Sequence, residues 1–325
     1  MKRRFPLVTV ALLAFGAALA AGCGGDSAPT PTPKGVPEDV PDLKIGDDSS
    51  PSEPAPSEPA PEPAPNEPAP AEPAPAEPAP SAPAPAGGQS SAGEPADAGF
   101  GHLKLVIRTD KAVAPANIKT SGPDCGELKI KEEVVVVNPK GNGLANVACW
   151  LDEDAPKIHP SYMGDKDKKV FLNNIKCRFE PHVSAMWTEQ TLEIGNADAF
   201  GHNSKIDSFE NESHNPIIPP GQTYEAKFAN PETLPVSCNI HAWMKAYVVV
   251  QPHPLTGISA VDGALIIKNV PSGKQKFRMW HETGFPGEVK VNGKAAKWKK
   301  GRFELTIPDG GTLEVNIEIP ADSLK

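Results

Sequence analysis

The chain has 325 residues, 39 prolines, five cysteines and a formal net charge of −9. That length allows one or two domains, but roughly half of the prolines fall between Ala28 and Pro95, which takes that stretch out of any packed core and leaves about 225 residues to fold. The acidic balance argues against nucleic acid as a partner, because no basic stripe is present to displace counterions from phosphates.

Met1-Lys2-Arg3-Arg4 followed by the apolar run from Phe5 to Ala21 reads as a secretory signal peptide, residues 1–22. The run is short for a membrane span and breaks into glycine and proline. It ends in Ala20-Ala21-Gly22-Cys23, small residues before a cysteine that resemble a bacterial lipobox, and this implies a lipid anchor on Cys23. Leu19 stands four places before the cysteine rather than three, so ordinary signal cleavage stays open. The expected location is the cell envelope, as a membrane-anchored lipoprotein in the periplasm or on the cell surface. Residues 23–99 then form a low-complexity linker with units such as Glu53-Pro54-Ala55-Pro56 and Glu67-Pro68-Ala69-Pro70. Repeated proline and like-charged glutamate favour an extended polyproline spacer without a core, able to reach on the order of 200 Å.

After Gly99 the composition changes to short runs rich in Val, Ile and Leu, separated by Gly, Pro, Asn and Asp. Strands are expected at His102 to Arg108, Leu128 to Val137, Thr191 to Gly195, Thr223 to Phe228, Ala246 to Gln251, Ala264 to Val270, Gln275 to Trp280, Phe303 to Ile307 and Thr312 to Ile319. No segment holds a helical period for three turns, so the expected class is all-β, a sandwich or barrel.

The segment richest in chemistry is Cys238-Asn239-Ile240-His241-Ala242-Trp243-Met244. A thiolate, an imidazole and a thioether within seven residues can converge on one ion, and this soft set selects copper; zinc takes Met poorly. Two His and one Cys in a plane with a distant Met make a blue-copper arrangement, so one further His is required. His202 is the candidate, because it follows the strand-like Thr191 to Gly195 and the turn Asn196-Ala197-Asp198. A second His-Asn pair, His214-Asn215, competes with it.

Here the sequence resembles the cupredoxins, plastocyanin and amicyanin in particular. The likeness runs from Lys176 to Val250: Phe179-Glu180-Pro181, the strand leading to Asn196-Ala197-Asp198 and His202-Asn203, then Gly221-Gln222-Thr223-Tyr224, and last the Cys238, His241, Met244 loop with amicyanin spacing. The resemblance implies a Greek-key β-sandwich over residues 100–252, with His202, Cys238 and His241 as equatorial ligands of one type 1 copper and Met244 as its weak axial ligand. It also implies an Asn203 backbone N–H donated to the Cys238 sulfur, and a redox protein partner docking near His241. Two positions depart from the pattern: Ala242 stands where the family has proline, and Trp243 is bulky beside a ligand.

A binuclear copper centre needs two cysteines in the loop, and a trinuclear cluster needs His-x-His pairs; the chain has neither. Four ligands leave no open position for substrate, so the expected role is single-electron transfer without enzymatic activity. The rival readings are a copper-carrying or buffering protein, and an adhesive or carbohydrate-binding lipoprotein with a vestigial site. Of Cys125, Cys149 and Cys177, two can pair in an oxidising compartment. Cys125 with Cys177 is favoured, because Cys149 lies in the alternating run Val147 to Leu151. His182 is a lesser candidate ligand together with Cys177, while His102, His159, His253 and His281 have no partner at ligand spacing. Residues 253–325 carry Asp262-Gly263-Ala264 and Val270-Pro271-Ser272-Gly273, similar to the carboxypeptidase-regulatory-like sandwich, which implies a second, smaller β-sandwich. The strand His102 to Arg108 is expected to pair into it.

Overall fold

A computed structural model describes residues 95–324; the expected signal peptide, Cys23 and the linker up to residue 94 lie outside them. Alternating apolar residues make nearly every described element a strand, and the exceptions are short 3-10 turns at Pro160–Asp165 and Ala321–Ser323. The all-β class follows.

The strands form two pairs of sheets, each pair closing on its own apolar core. The first pair, here the terminal sandwich, joins a five-stranded sheet in the order Ala264–Pro271, Phe100–Thr109, Thr312–Ile319, Glu288–Val291, Lys294–Lys297 to a four-stranded sheet of Thr256–Ile258, Ala148–Leu151, Gly273–Trp280 and Arg302–Ile307. Leu103, Leu105, Ile107, Val315 and Ile317 from one sheet meet Cys149, Leu151, Phe277, Met279 and Ile307 from the other. Each fully buried side chain of this size contributes about 1.5–3 kcal/mol of transfer free energy. Phe100–Thr109 runs parallel to Thr312–Ile319 and antiparallel to Ala264–Pro271, so the expected pairing of the first strand with the C-terminal segment is met. The Asp262-Gly263 turn that starts Ala264–Pro271 needs glycine. Gly263 has φ +81°, and a Cβ there would lie 2.0 Å from the Ile107 carbonyl oxygen.

The central sandwich consists of Thr223–Ala226, Thr191–Asn196, Lys169–Ile175, Arg178–Glu180 in one sheet and Val183–Trp187, Lys245–Gln251, Glu232–Ser237, Lys205–Ile206 in the other. Its core takes Leu172, Phe179, Leu192 and Ile194 from the first sheet, and Met186, Leu234, Val236, Val248 and Val250 from the second. A third, small cluster joins the two sandwiches, with Trp150 and Trp280 of the terminal one meeting Val183 and Val249 of the central one.

Three expectations are revised. Leu128 to Val137 forms no strand and makes only the isolated bridges Asn117 to Lys131 and Val137 to Leu144. Four consecutive valines have high β propensity, but a strand needs a neighbour to pair with, and here Val135 and Val137 pack against the terminal core instead. Sheet membership also alternates along the chain rather than changing once at 252/253, because Phe100–Thr109 and Ala148–Leu151 belong to the sheets of the C-terminal segment. Finally, Cys177 is disulfide-bonded to Cys125, with Cα atoms 6.1 Å apart, so it is not available to His182 as a metal ligand. Cys149 and Cys238 are the free cysteines of the described residues, and both are buried.

Candidate metal centre

Pairing between Glu232–Ser237 and Lys245–Gln251 stops at Ser237 and Lys245, which leaves residues 238–244 to turn at one end of the central sandwich. The turn is closed by its own backbone. Cys238 N–H donates to the Met244 carbonyl at 3.2 Å, and Met244 N–H to the His241 carbonyl at 2.9 Å. His202 arrives from a separate stretch, on the two-residue strand His202–Asn203 paired with Ile217–Ile218.

These two stretches bring His202, Cys238 and His241 together, all buried, with one donor atom from each lying within 4.8 Å of the others. It is the one such group among the described residues. The two imidazoles face each other through Nδ1 atoms 3.0 Å apart, and His241 Nδ1 lies 3.8 Å from Cys238 Sγ. Met244 is 1 % exposed and packs in the same core as Cys238. The competing histidine goes elsewhere: His214 Nδ1 is hydrogen-bonded with the Tyr224 hydroxyl at 2.9 Å and its backbone bridges Ile206.

Neighbouring polar groups hold the donors in place. His202 Nε2–H donates to Asp198 Oδ2 at 2.9 Å, which directs Nδ1 inward. Asp198 is itself fixed by the backbone N–H groups of Lys176 at 2.5 Å and Cys177 at 2.9 Å. The Cys177 carbonyl accepts the Trp243 indole N–H at 3.1 Å, so the bulky residue in the loop ties the Cys238 segment to the strand turn that holds Asp198. Asn203 Oδ1 takes the Asn239 N–H at 2.7 Å and lies 3.3 Å from Cys238 Sγ. Phe200 and Trp243 flank His241, with ring centroids 5.9 Å and 5.3 Å away.

The electrostatics favour a thiolate. Burial would push the Cys238 thiol up, but hydrogen bonds from His202 and from the Asn203 backbone N–H outweigh it and bring the pKa below that of an ordinary cysteine. Burial likewise opposes charge on His202, yet Asp198 and Cys238 raise its pKa to about 9. Burial and the neighbouring positive His202 lower that of His241. Asp198 is lowered because hydrogen bonds from His202 and two backbone N–H groups exceed the cost of its burial. The cluster thus favours a proton on His202, which faces a second ring nitrogen and the sulfur. A cation would take that proton's place.

Two parts of this arrangement escaped the sequence analysis: Asp198 as the orienting group, and the Trp243 to Cys177 tie. The first left a signal in the spacing of four residues between Asp198 and His202; the second left none, since 66 residues separate its partners.

No family model and no curated protein matches the chain. Among solved structures it is similar to a Cu-containing nitrite reductase from Thermus scotoductus, at 23% identity over 33% of this chain and 26% of that one, with a TM-score of 0.25. It is also similar to an oxidised amicyanin variant, at 19% identity over 32% of this chain and 98% of that one, TM-score 0.24. A purple cupredoxin from Nitrosopumilus maritimus matches at 19% identity over 26% of this chain and all of its own length, TM-score 0.23. The chain thus spans about a quarter of the nitrite reductase. TM-scores of this size do not establish a common fold. What the site can hold is decided by the donors themselves.

Proposed function

We propose that the chain is an extracytoplasmic type 1 (blue) copper protein that passes single electrons between redox partners and has no enzymatic activity. The reading is carried by one observation, the convergence of two imidazole Nδ1 atoms and a cysteine sulfur with lowered pKa at a buried point. That donor set suits copper in both oxidation states, with Met244 as the weak fourth ligand. A copper ion bound there supplies the one-electron couple. The protein's part is to keep the donors where they already are: Asp198 orients His202, Asn203 supports the Cys238 side, and the turn closed by Met244 carries His241. Donors fixed by packing move little between oxidation states, which keeps the reorganisation barrier low.

The docking face for a redox protein is the surface around His241, where Ile240 is 58 % exposed and Ala242 is exposed. We place the chain in the cell envelope, held to a membrane through lipid on Cys23 and carried on the spacer of residues 23–99. The terminal sandwich serves as a structural or adhesive module of the carboxypeptidase-regulatory-like kind.

The test is the visible spectrum of the purified, copper-loaded protein. An intense band toward the red from a short Cu(II)–thiolate bond is expected, together with a reversible one-electron wave in voltammetry. A colourless cupric form sinks the type 1 assignment. Colour without a reversible wave leaves a copper store rather than an electron carrier.

A further inference from the structure

The Cys125–Cys177 disulfide joins two segments that no sheet brings together. Residues 116–132, which carry Cys125, form no strand, and their hydrogen bonds to other described residues all close within the segment itself. Ile118 N–H donates to the Ile130 carbonyl and Glu132 N–H to the Ala116 carbonyl, both at 2.9 Å. The segment joins the central sandwich through Cys125, Ile130 and Ile118, which pack in that core.

The other end of the disulfide sits at a demanding turn. Ile175 pairs with Arg178, so Lys176 and Cys177 are the two-residue link between Lys169–Ile175 and Arg178–Glu180. Both adopt the left-handed region, with φ +51° and +57°. Asn-Gly makes such a turn readily, because glycine carries no Cβ and asparagine tolerates positive φ. Lys-Cys has no such preference, and contacts outside the hairpin have to hold it. The same two residues support the candidate metal centre. Lys176 N–H donates to Asp198 Oδ1 at 2.5 Å and Cys177 N–H to Asp198 Oδ2 at 2.9 Å. Asp198 Oδ2 accepts the His202 Nε2–H, and the Cys177 carbonyl accepts the Trp243 indole N–H. The aim of these backbone groups is set by the two positive φ angles.

We propose that Cys125 is a positioning residue for His202: its bond to Cys177 locks the Lys176-Cys177 turn in the left-handed form, and the turn acts on His202 through Asp198. Through Trp243 it also steadies the loop that carries Cys238 and His241. The benefit to copper rests on the function proposed above, whereas the brace itself belongs to the metal-free chain. A bond closing 52 residues restricts the unfolded chain wherever it lies, so lost stability alone is no sign of positioning. The turn separates the two roles.

The test removes the bond and then rebuilds only the turn. In the metal-free, full-length chain, nitrogen-15 NMR should show the His202 Nε2–H protected from exchange. Cys125→Ala with Cys177→Ala should speed that exchange at least roughly 10-fold, because the turn opens locally. It should also weaken copper roughly 10-fold in competition with a chelator. Cys125→Ala with Lys176→Asn and Cys177→Gly lacks the bond but has a turn that forms unaided. Both readouts should return to within about 2-fold of the native chain, while most of the lost thermal stability stays lost. The proposal is overturned if the native proton is unprotected, or if removing the bond leaves its exchange unchanged. It is also overturned if the rebuilt turn fails to restore protection, including by failing to fold, since the bond would then hold the fold and not the turn. A native chain that stays colourless with cupric ion, yet gives the expected proton results, would sink the copper assignment and leave the brace standing.

Discussion

Each sandwich holds one unpaired, buried cysteine, and the two behave in opposite ways. Cys149, in the terminal core, is fully buried among Leu151, Phe277 and Met279, and burial alone pushes its thiol far up. Cys238, in the central sandwich, is 3 % exposed, yet its pKa falls below the ordinary value because His202 and the Asn203 N–H offset the desolvation. Both sulfurs are shielded from solvent, Cys149 the more deeply, and only Cys238 has polar neighbours that stabilise a thiolate. A buried cysteine surrounded by hydrocarbon is a small hydrophobe, and the same residue facing two imidazoles has the surroundings of a candidate ligand.

Substitutions can break this contrast. The largest effect is expected from Cys238→Ser, which should abolish the intense visible band of the copper-loaded protein entirely, whereas Cys149→Ser should leave the band position unchanged. Phe277→Ala empties the terminal core and should cost about 3–5 kcal/mol in chemical denaturation with no change in the spectrum of the folded protein. A spectral shift would mean that the terminal core supports the metal site directly.

Acid should act on the terminal side of the seam. His281 has a folded pKa near 4 against an unfolded value of 6.5, so the unfolded chain binds its proton first as the pH falls. The stability this neutral histidine contributes is complete above pH 6.5 and is lost between 6.5 and 4, by about 3 kcal/mol at most. His281→Gln should flatten that part of the pH–stability curve of the metal-free protein, and an unchanged slope would assign it to other groups.

Asp198→Asn sharpens the comparison at the copper side. It keeps the shape but loses the carboxylate that orients His202, and copper affinity in competition with a chelator should fall roughly 10-fold to 100-fold, with the band retained. The smallest expected effect is on thiol labelling. Cys149 should react with a thiol reagent only at the rate of unfolding, and rapid labelling of the native protein would contradict its burial.

Much of the central sandwich was legible from one sequence because its signals are local. Thr191–Asn196 and Thr223–Ala226 alternate apolar with polar residues, Lys245–Gln251 is a short apolar run of strand length, and the 238–244 loop carries three donors at intervals of three residues between two strands. Glu232–Ser237 was missed because Pro235 argues against a paired strand, although tertiary pairing accommodates it opposite Tyr247. Val134 to Val137 misled in the other direction, since propensity is realised only where a partner strand is present. The disulfide was weighed correctly from the buried pattern around Cys149.

Residue order alone therefore settled the all-β class and the order in which the candidate donors His202, Cys238, His241 and Met244 occur, because these depend on periodicity and on side-chain chemistry over a few neighbouring positions. Only the folded chain could decide that Asp198, held by the Cys177 N–H, orients His202, that Phe100–Thr109 runs parallel to Thr312–Ile319, and that His182 meets Glu282 beside the seam. Those relations join residues 20 to more than 200 positions apart along the chain. No local pattern encodes such distances, and they exist only once two apolar cores have closed and carried their polar edges together.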